Sequence, residues 1–278
     1  MTLITVNDVE LDVQISGAGP TVLLVHGWPD THACWRHQVA ALNAAGYRTV
    51  APDLRGFGAS GKPEDLARLT VGDHVGDLIG LLRHLDVEKA HLVGHDWGSA
   101  LVQQVAMAAP ELTSSLTCMS VGHAAAFYGS GLEQREKSWY MLLFQFRGVA
   151  EQWLSQDEFR NLREFIATHP DLDEVVERMR DPKALSASLA IYRTGVPPEV
   201  LLARMDDSAP LPPVPTMGLW STGDRYLVEA GMVGTENYAS GPWRYERIDG
   251  AGHWMQLDAP ERVNELLLDF LPGRGEHR

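Results

Sequence analysis

The stretch Leu92-Val93-Gly94-His95-Asp96-Trp97-Gly98-Ser99-Ala100 joins a short apolar run to a helical pattern. Residues 89–93 read as a strand buried on both faces, and 99–109 as a helix. Gly94 and Gly98 bracket Asp96 at the spacing of a nucleophile elbow, a tight strand-to-helix turn that lifts its central side chain above a sheet. The turn forces small residues on either side. The amide of Trp97, at the helix N-terminus, then faces any oxyanion developing beside Asp96. The central residue is an aspartate rather than serine or cysteine, so a carboxylate would be the attacking group. Taken alone, such a G-x-D-x-G marks no more than a tight loop.

A second loop strengthens the reading. Val25-His26-Gly27-Trp28-Pro29 follows the apolar run at 21–25. Gly27 permits a sharp turn, and the Trp28 amide becomes a second oxyanion donor. Two such loops at the C-terminal ends of neighbouring strands mark the edge where open α/β sheets bind ligands. A carboxylate nucleophile needs a base to activate water and a partner to orient that base. Gly250-Ala251-Gly252-His253-Trp254 follows the last predicted strand, and Gly223-Asp224 the one before it. The order Asp96, Asp224, His253 is the order expected on such a sheet. The other ten histidines lie outside Gly-rich loops after C-terminal strands. Asp249, at a strand end, competes with Asp224 for the acid position, although that place suggests a turn role.

Outward from these loops the chain alternates. Residues 2–15 read as antiparallel edge strands. Further strands are expected at 21–25, 47–51, 89–93, 112–121, 216–221 and 244–248, with helices at 35–45, 71–85, 99–109 and 260–270. This alternation implies an α/β fold with a mostly parallel sheet covered by helices. It breaks between Gly122 and Met205, where the patterns are mainly helical: 132–146, 150–153, 156–168, 172–180 and 183–193. The expected organisation is a core split by a helical cap: 1–121 as its first part, 122–209 as the cap, 210–278 as its second part.

The chain has 278 residues, with 23 Lys and Arg against 37 Asp and Glu, a net charge of −14. That field opposes phosphate backbones and anionic lipid, so neither nucleic acid nor a membrane surface is expected as a partner. Cys34 and Cys118 lack metal or redox spacing and read as free thiols. No apolar run approaches the roughly 20 residues of a membrane helix, and the N-terminus lacks a secretory signal. A cytoplasmic location is therefore expected. Gly56-Phe57-Gly58-Ala59-Ser60-Gly61-Lys62 has the spacing of a phosphate loop, but Pro63 supplies no hydroxyl and disfavours helix at Lys62. No metal site is expected, since there is no H-E-x-x-H and His91 and His95 straddle a strand and a turn.

On these residues the chain resembles the α/β-hydrolase fold and, within it, the epoxide hydrolases. The resemblance rests on His26-Gly27-Trp28-Pro29, on the run from Asp53-Leu54-Arg55-Gly56 to Ser60, on the Asp96 turn, and on Asp224 and His253. These motifs span nearly the whole core. It implies two cap tyrosines that hydrogen-bond the epoxide oxygen, which fall at Tyr140, in Tyr140-Met141-Leu142-Leu143-Phe144-Gln145, and at Tyr192, in Ile191-Tyr192-Arg193. The implied chemistry converts an epoxide and water to a vicinal diol through an ester on Asp96, without cofactor or metal.

Some relatives of this fold carry the acid one strand earlier, but Ser120-Val121-Gly122-His123 offers no carboxylate there. Haloacid and haloalkane dehalogenases are the alternative. Fluoroacetate dehalogenases carry an arginine where this chain has Trp97 and a tryptophan where it has Tyr140. Haloalkane dehalogenases typically have asparagine at the position of Trp28. A non-catalytic ligand-binding protein would show decay of a triad or cap position, and none has decayed. Ser99 departs from the family pattern, in which a second glycine is common. A small, neutral, hydrophobic epoxide is expected as substrate, with Trp28, Trp97, Trp139 and Phe144 lining its site and Phe127, Phe146 and Trp153 nearby. Monomer and homodimer are both open.

Overall fold

In the computed structural model, residues 2–202 and 209–271 are described. The end of the helical block at Met205 and the C-terminus beyond Leu271 lie outside them. Eight strands form one sheet: β1 (Thr2–Val6), β2 (Val9–Gly17), β3 (Thr21–Val25), β4 (Arg48–Pro52), β5 (Ala90–His95), β6 (Thr113–Met119), β7 (Thr216–Ser221) and β8 (Trp243–Ile248). Their spatial order is β1-β2-β4-β3-β5-β6-β7-β8. β1 and β2 are antiparallel to their neighbours, and from β4 to β8 every pair is parallel. Every residue of β3 and β5 is buried, as expected of central strands covered on both faces.

Helices α1 (Arg36–Ala44), α2 (Val71–His84) and α3 (Trp97–Ala108) connect the first parallel strands. A capping box starts α2: the Thr70 hydroxyl accepts from the Asp73 amide, and the Asp73 carboxylate accepts from the Thr70 amide. Arg55, fully buried in the loop after β4, pairs with Asp77 of α2 and ties that loop down. The register pairs Val25 with Gly94, so the loops after β3 and β5 leave the sheet side by side. This places the His26 loop against the Asp96 turn.

Between β6 and β7 the described residues form seven helices: α4 (Ala124–Gly129), α5 (Gly131–Lys137), α6 (Trp139–Gln145), α7 (Val149–Phe165), α8 (Leu172–Met179), α9 (Pro182–Gly195) and α10 (Pro198–Leu202). The single helix expected over 132–146 is broken at Ser138. The Ser138 hydroxyl accepts from the Gln134 side chain, which also bonds the Tyr226 carbonyl and the Val228 amide of the core. Asp157, Glu158 and Phe159 take positive φ of 49°, 55° and 65°, which kinks α7 into the two pieces the pattern suggested. After β7 come the short helices α11 (Glu229–Val233) and α12 (Met255–Asp258), then α13 (Pro260–Phe270). No helix of the described residues is long and apolar enough to cross a membrane.

Candidate active site

Asp96 separates β5 from α3 with φ +55° and ψ −122°, a conformation that costs a non-glycine residue on the order of 1–3 kcal/mol. The surroundings enforce it. A Cβ on Gly98 would run into the carbonyl of Val25, so only glycine lets α3 start this close to β3. Ser99, where a second glycine is common in the resembling family, is accommodated: its buried hydroxyl donates to the Val121 carbonyl at 2.6 Å.

The Trp28 amide donates to Asp96 Oδ1 at 2.9 Å. Of the two amides expected to serve the oxyanion, it is the one bonded to the carboxylate, while that of Trp97 heads α3 beside it. The loop that aims Trp28 is fixed by His26. Its Nδ1 donates to the Gly27 carbonyl at 2.8 Å, and its Nε2 accepts from the Leu54 amide at 3.0 Å. That pair of bonds needs one neutral tautomer, and burial accordingly lowers the pKa of His26. A Cβ on Gly27 would strike the Asp96 side chain.

His253 faces two carboxylates. Its Nδ1 lies 2.9 Å from Asp224 Oδ2, and its Nε2 lies 3.6 Å from Asp96 Oδ2. Burial opposes charge on the ring, but attraction to the Asp224 and Asp96 carboxylates and the hydrogen bond to Asp224 outweigh it and raise the pKa to about 10. Asp224 is buried too, yet the imidazolium and the Tyr226 and Leu227 amides, at 2.8 and 3.0 Å from Oδ1, hold its carboxyl below the usual range. Asp249, the competing acid, is exposed and pairs with Arg247. Behind His253, His95 Nε2 donates to the His253 carbonyl at 2.9 Å. Burial and the charge on His253 push the pKa of His95 down to about 4.

Tyr140 of α6 and Tyr192 of α9 converge from the helical block, their ring centroids 5.9 Å apart. Both are buried, and burial together with the Asp96 charge pushes their pKa values well above the usual tyrosine range. They therefore remain O–H donors. A clamp keeps α6 and α9 together: Arg193 makes a bidentate pair with Glu151 at 2.8 and 2.9 Å and donates to the Phe144 carbonyl at 2.8 Å. Gln145 adds a bond to the Tyr192 carbonyl at 3.1 Å.

The expected lining residues are not all brought together. Trp97 borders a cavity of about 200 Å³ that reaches Asp96, and Trp28 borders a small void on the other flank. Phe144 is fully buried behind the tyrosines, packed on Trp28, Tyr140 and Tyr192. Trp139 is 48% exposed and stacks edge-on with Trp153 over a separate surface depression. One residue along α6 from Tyr140, it points about 100° away around the helix and packs edge-on against the outer side of Tyr140 and Phe165. Phe127 does line the Asp96 cavity. Sequence reasoning missed Phe165 and Tyr226, which touch Tyr140 and His253. The one signal for Tyr226 was its place two residues after Asp224.

Asp12, His32 and Asp53 form the one cluster with metal-ligand spacing among the described residues. The Asp53 carboxylate is already engaged by the His32 ring and amide and by the Ala59 amide, so the cluster works as a loop brace. The Gly56–Lys62 loop likewise closes on itself through Lys62, which donates to the Gly58 and Ser60 carbonyls.

The chain is similar to known proteins over most of its length. A family model for the alpha/beta hydrolase fold matches residues 20–260. Epoxide hydrolase A of Mycobacterium tuberculosis (strain ATCC 25618 / H37Rv) is 31% identical, over 98% of this chain and 97% of its own. Epoxide hydrolase 3 of Xenopus tropicalis is 33% identical, over 91% of this chain and 71% of its own. Among solved structures, an epoxide hydrolase of Bacillus megaterium in complex with an inhibitor superposes with a TM-score of 0.86, at 26% identity, over 97% of this chain and 99% of that one.

Proposed function

The chain belongs to the α/β-hydrolase family and, within it, to the epoxide hydrolases, and from that premise we propose that it opens an epoxide through a covalent ester on Asp96. The observation that carries this reading is the convergence of Tyr140 and Tyr192 upon a carboxylate backed by His253 and Asp224. Oδ2 of Asp96, the oxygen not held by Trp28, attacks an epoxide carbon in line, and the carbon–oxygen bond breaks. The departing oxygen takes a proton from the tyrosine pair. An alkoxide is a poor leaving group near neutral pH, so a positioned acid is required.

The alkylated Asp96 is neutral, so His253 loses one of the two charges that raised its pKa. It gives up its proton, which balances the one the tyrosines lost, and becomes a base. Water then attacks the ester carbonyl carbon while His253 removes its proton and Asp224 supports the imidazolium. The oxyanion forms on the oxygen held by the Trp28 amide, with Trp97 as the second donor, each worth about 3–4 kcal/mol in comparable sites. Collapse breaks the bond between the Asp96 carboxyl carbon and Oδ2. The departing alkoxide takes the imidazolium proton and leaves as the vicinal diol, and the new Asp96 carboxylic acid returns a proton to His253, which restores both groups. No step calls on a cofactor.

Residues 122–209 act in this reading as the cap that delivers the tyrosines. A neutral, apolar epoxide suits the net charge of −14 and the cavity beside Trp97. A reducing cytoplasmic setting suits the two buried free thiols, Cys34 and Cys118. The deciding experiment assays diol formation from a panel of aromatic and aliphatic epoxides alongside halide release from haloalkanes and haloacids. Diol formation without halide release is the expected result; halide release alone would refute the reading.

A further inference from the structure

The space around Asp96 is lopsided. On its Trp97 side lies the cavity of about 200 Å³, bordered by Ala100, Met107, Phe127 and Met141. On its His253 side the void is only about 10 Å³, closed by Phe165, Ile166, Tyr226 and Trp254. A void of that size holds about one water molecule, and it touches both Asp96 and His253, where a hydrolytic water is required.

Phe165 and Tyr226 keep that side small. The Tyr226 hydroxyl donates to the Phe165 carbonyl at 2.6 Å, and its amide is anchored on Asp224 at 2.8 Å. The two rings meet at 5.3 Å, and the Phe165 ring also packs on Tyr140 at 4.9 Å and Trp28 at 5.9 Å. On their far side the same two residues line the surface depression that Trp139 and Trp153 border. They are thus a wall two rings wide between the reaction centre and an open groove.

The tyrosines fix the epoxide oxygen and Asp96 fixes the attacked carbon, so substituents on the two ring carbons leave toward different flanks. One flank takes an aryl or alkyl group, and the other takes hydrogen and a water. We infer that this chain selects terminal, monosubstituted epoxides bearing one apolar group, and that Phe165 and Tyr226 are the residues that exclude 1,2-disubstituted ones. This rests on the epoxide-opening reading above.

The test compares kcat/KM of the full chain for styrene oxide, trans-1-phenylpropylene oxide and trans-stilbene oxide, in the wild type and in Phe165→Ala and Phe165→Val. The wild type is expected to favour styrene oxide over trans-stilbene oxide by about 100-fold or more, the scale on which packed pockets discriminate. Either variant is expected to shrink that preference by about 10-fold as the void joins the groove. A wild-type preference below about threefold overturns the inference, as does an unchanged preference in a folded variant. The wild-type ratio decides even where neither variant folds. Hydrolysis of all three at similar rates sinks the selectivity and leaves epoxide opening intact, whereas hydrolysis of none sinks the underlying reading.

Discussion

Nε2 of His253 stands 3.6 Å from Oδ2 of Asp96, while Asp224 holds the opposite ring nitrogen at 2.9 Å. The longer distance exceeds a good hydrogen bond yet sits within ion-pair range, so the imidazolium is shared unequally between two carboxylates. In the proposed ester that weaker partner disappears, because Oδ2 is the alkylated oxygen, and the ring is left facing a neutral ester group.

The charge on His253 should therefore be visible as stability. A pKa raised from 6.5 to about 10 contributes stability that is complete below pH 6.5 and fades as pH climbs through 10. Thermal unfolding of the wild type and His253→Gln should differ most near pH 6 and converge toward about pH 10. Asp96→Asn removes one carboxylate and should move the imidazole titration, followed by NMR, to lower pH. An unmoved titration would show that Asp96 does not hold the charge.

Loss of either cap hydroxyl should slow ring opening. Tyr140→Phe and Tyr192→Phe are each expected to reduce single-turnover ester formation by about 10- to 100-fold, and the double variant by about 1000-fold or more, within the range of general-acid contributions. Rates unchanged in all three variants would remove the tyrosines from the mechanism.

The Arg193–Glu151 pair should act through the tyrosines' placement. Arg193 is 5% exposed at its side chain, so Arg193→Ala strands Glu151 and should destabilise the protein by about 3 kcal/mol in denaturant titration. The double variant Arg193→Met with Glu151→Met, which leaves no orphaned charge, should recover most of that stability but still show a lower kcat. Full recovery of kcat would make the pair purely structural.

Gly27 leaves no room for a methyl group against Asp96. Gly27→Ala should cost about 1–3 kcal/mol of stability and reduce kcat by displacing either the carboxylate or the Trp28 amide. A variant with wild-type kcat would mean that the loop shifts without consequence.

Turn chemistry made much of this legible beforehand. Asp96, Trp28, Asp224 and His253 each stand in or beside a glycine turn at a strand end, a signal confined to a few residues. The sheet was equally readable, because buried parallel strands are short apolar runs such as 21–25. The wall was not. Phe165 and Tyr226 are 61 residues apart, and nothing local tells a ring at the reaction centre from a ring in the core. Trp139 and Tyr140 illustrate the same limit, since adjacent helical positions point about 100° apart and apolarity does not say which faces inward. The break at Ser138 depends on Gln134 reaching the core, a tertiary contact that no helical period contains.

The central claim is that Asp96 carries the substrate as an ester, and one measurement addresses it directly. His253→Gln is mixed with excess styrene oxide, and its intact mass is followed, with peptide mapping of the product. The account predicts a rise equal to one substrate molecule, localised to the peptide containing Asp96 and lost in the double variant with Asp96→Asn. Diol formation by the wild type without any adduct in His253→Gln, or an adduct on another residue, would contradict it.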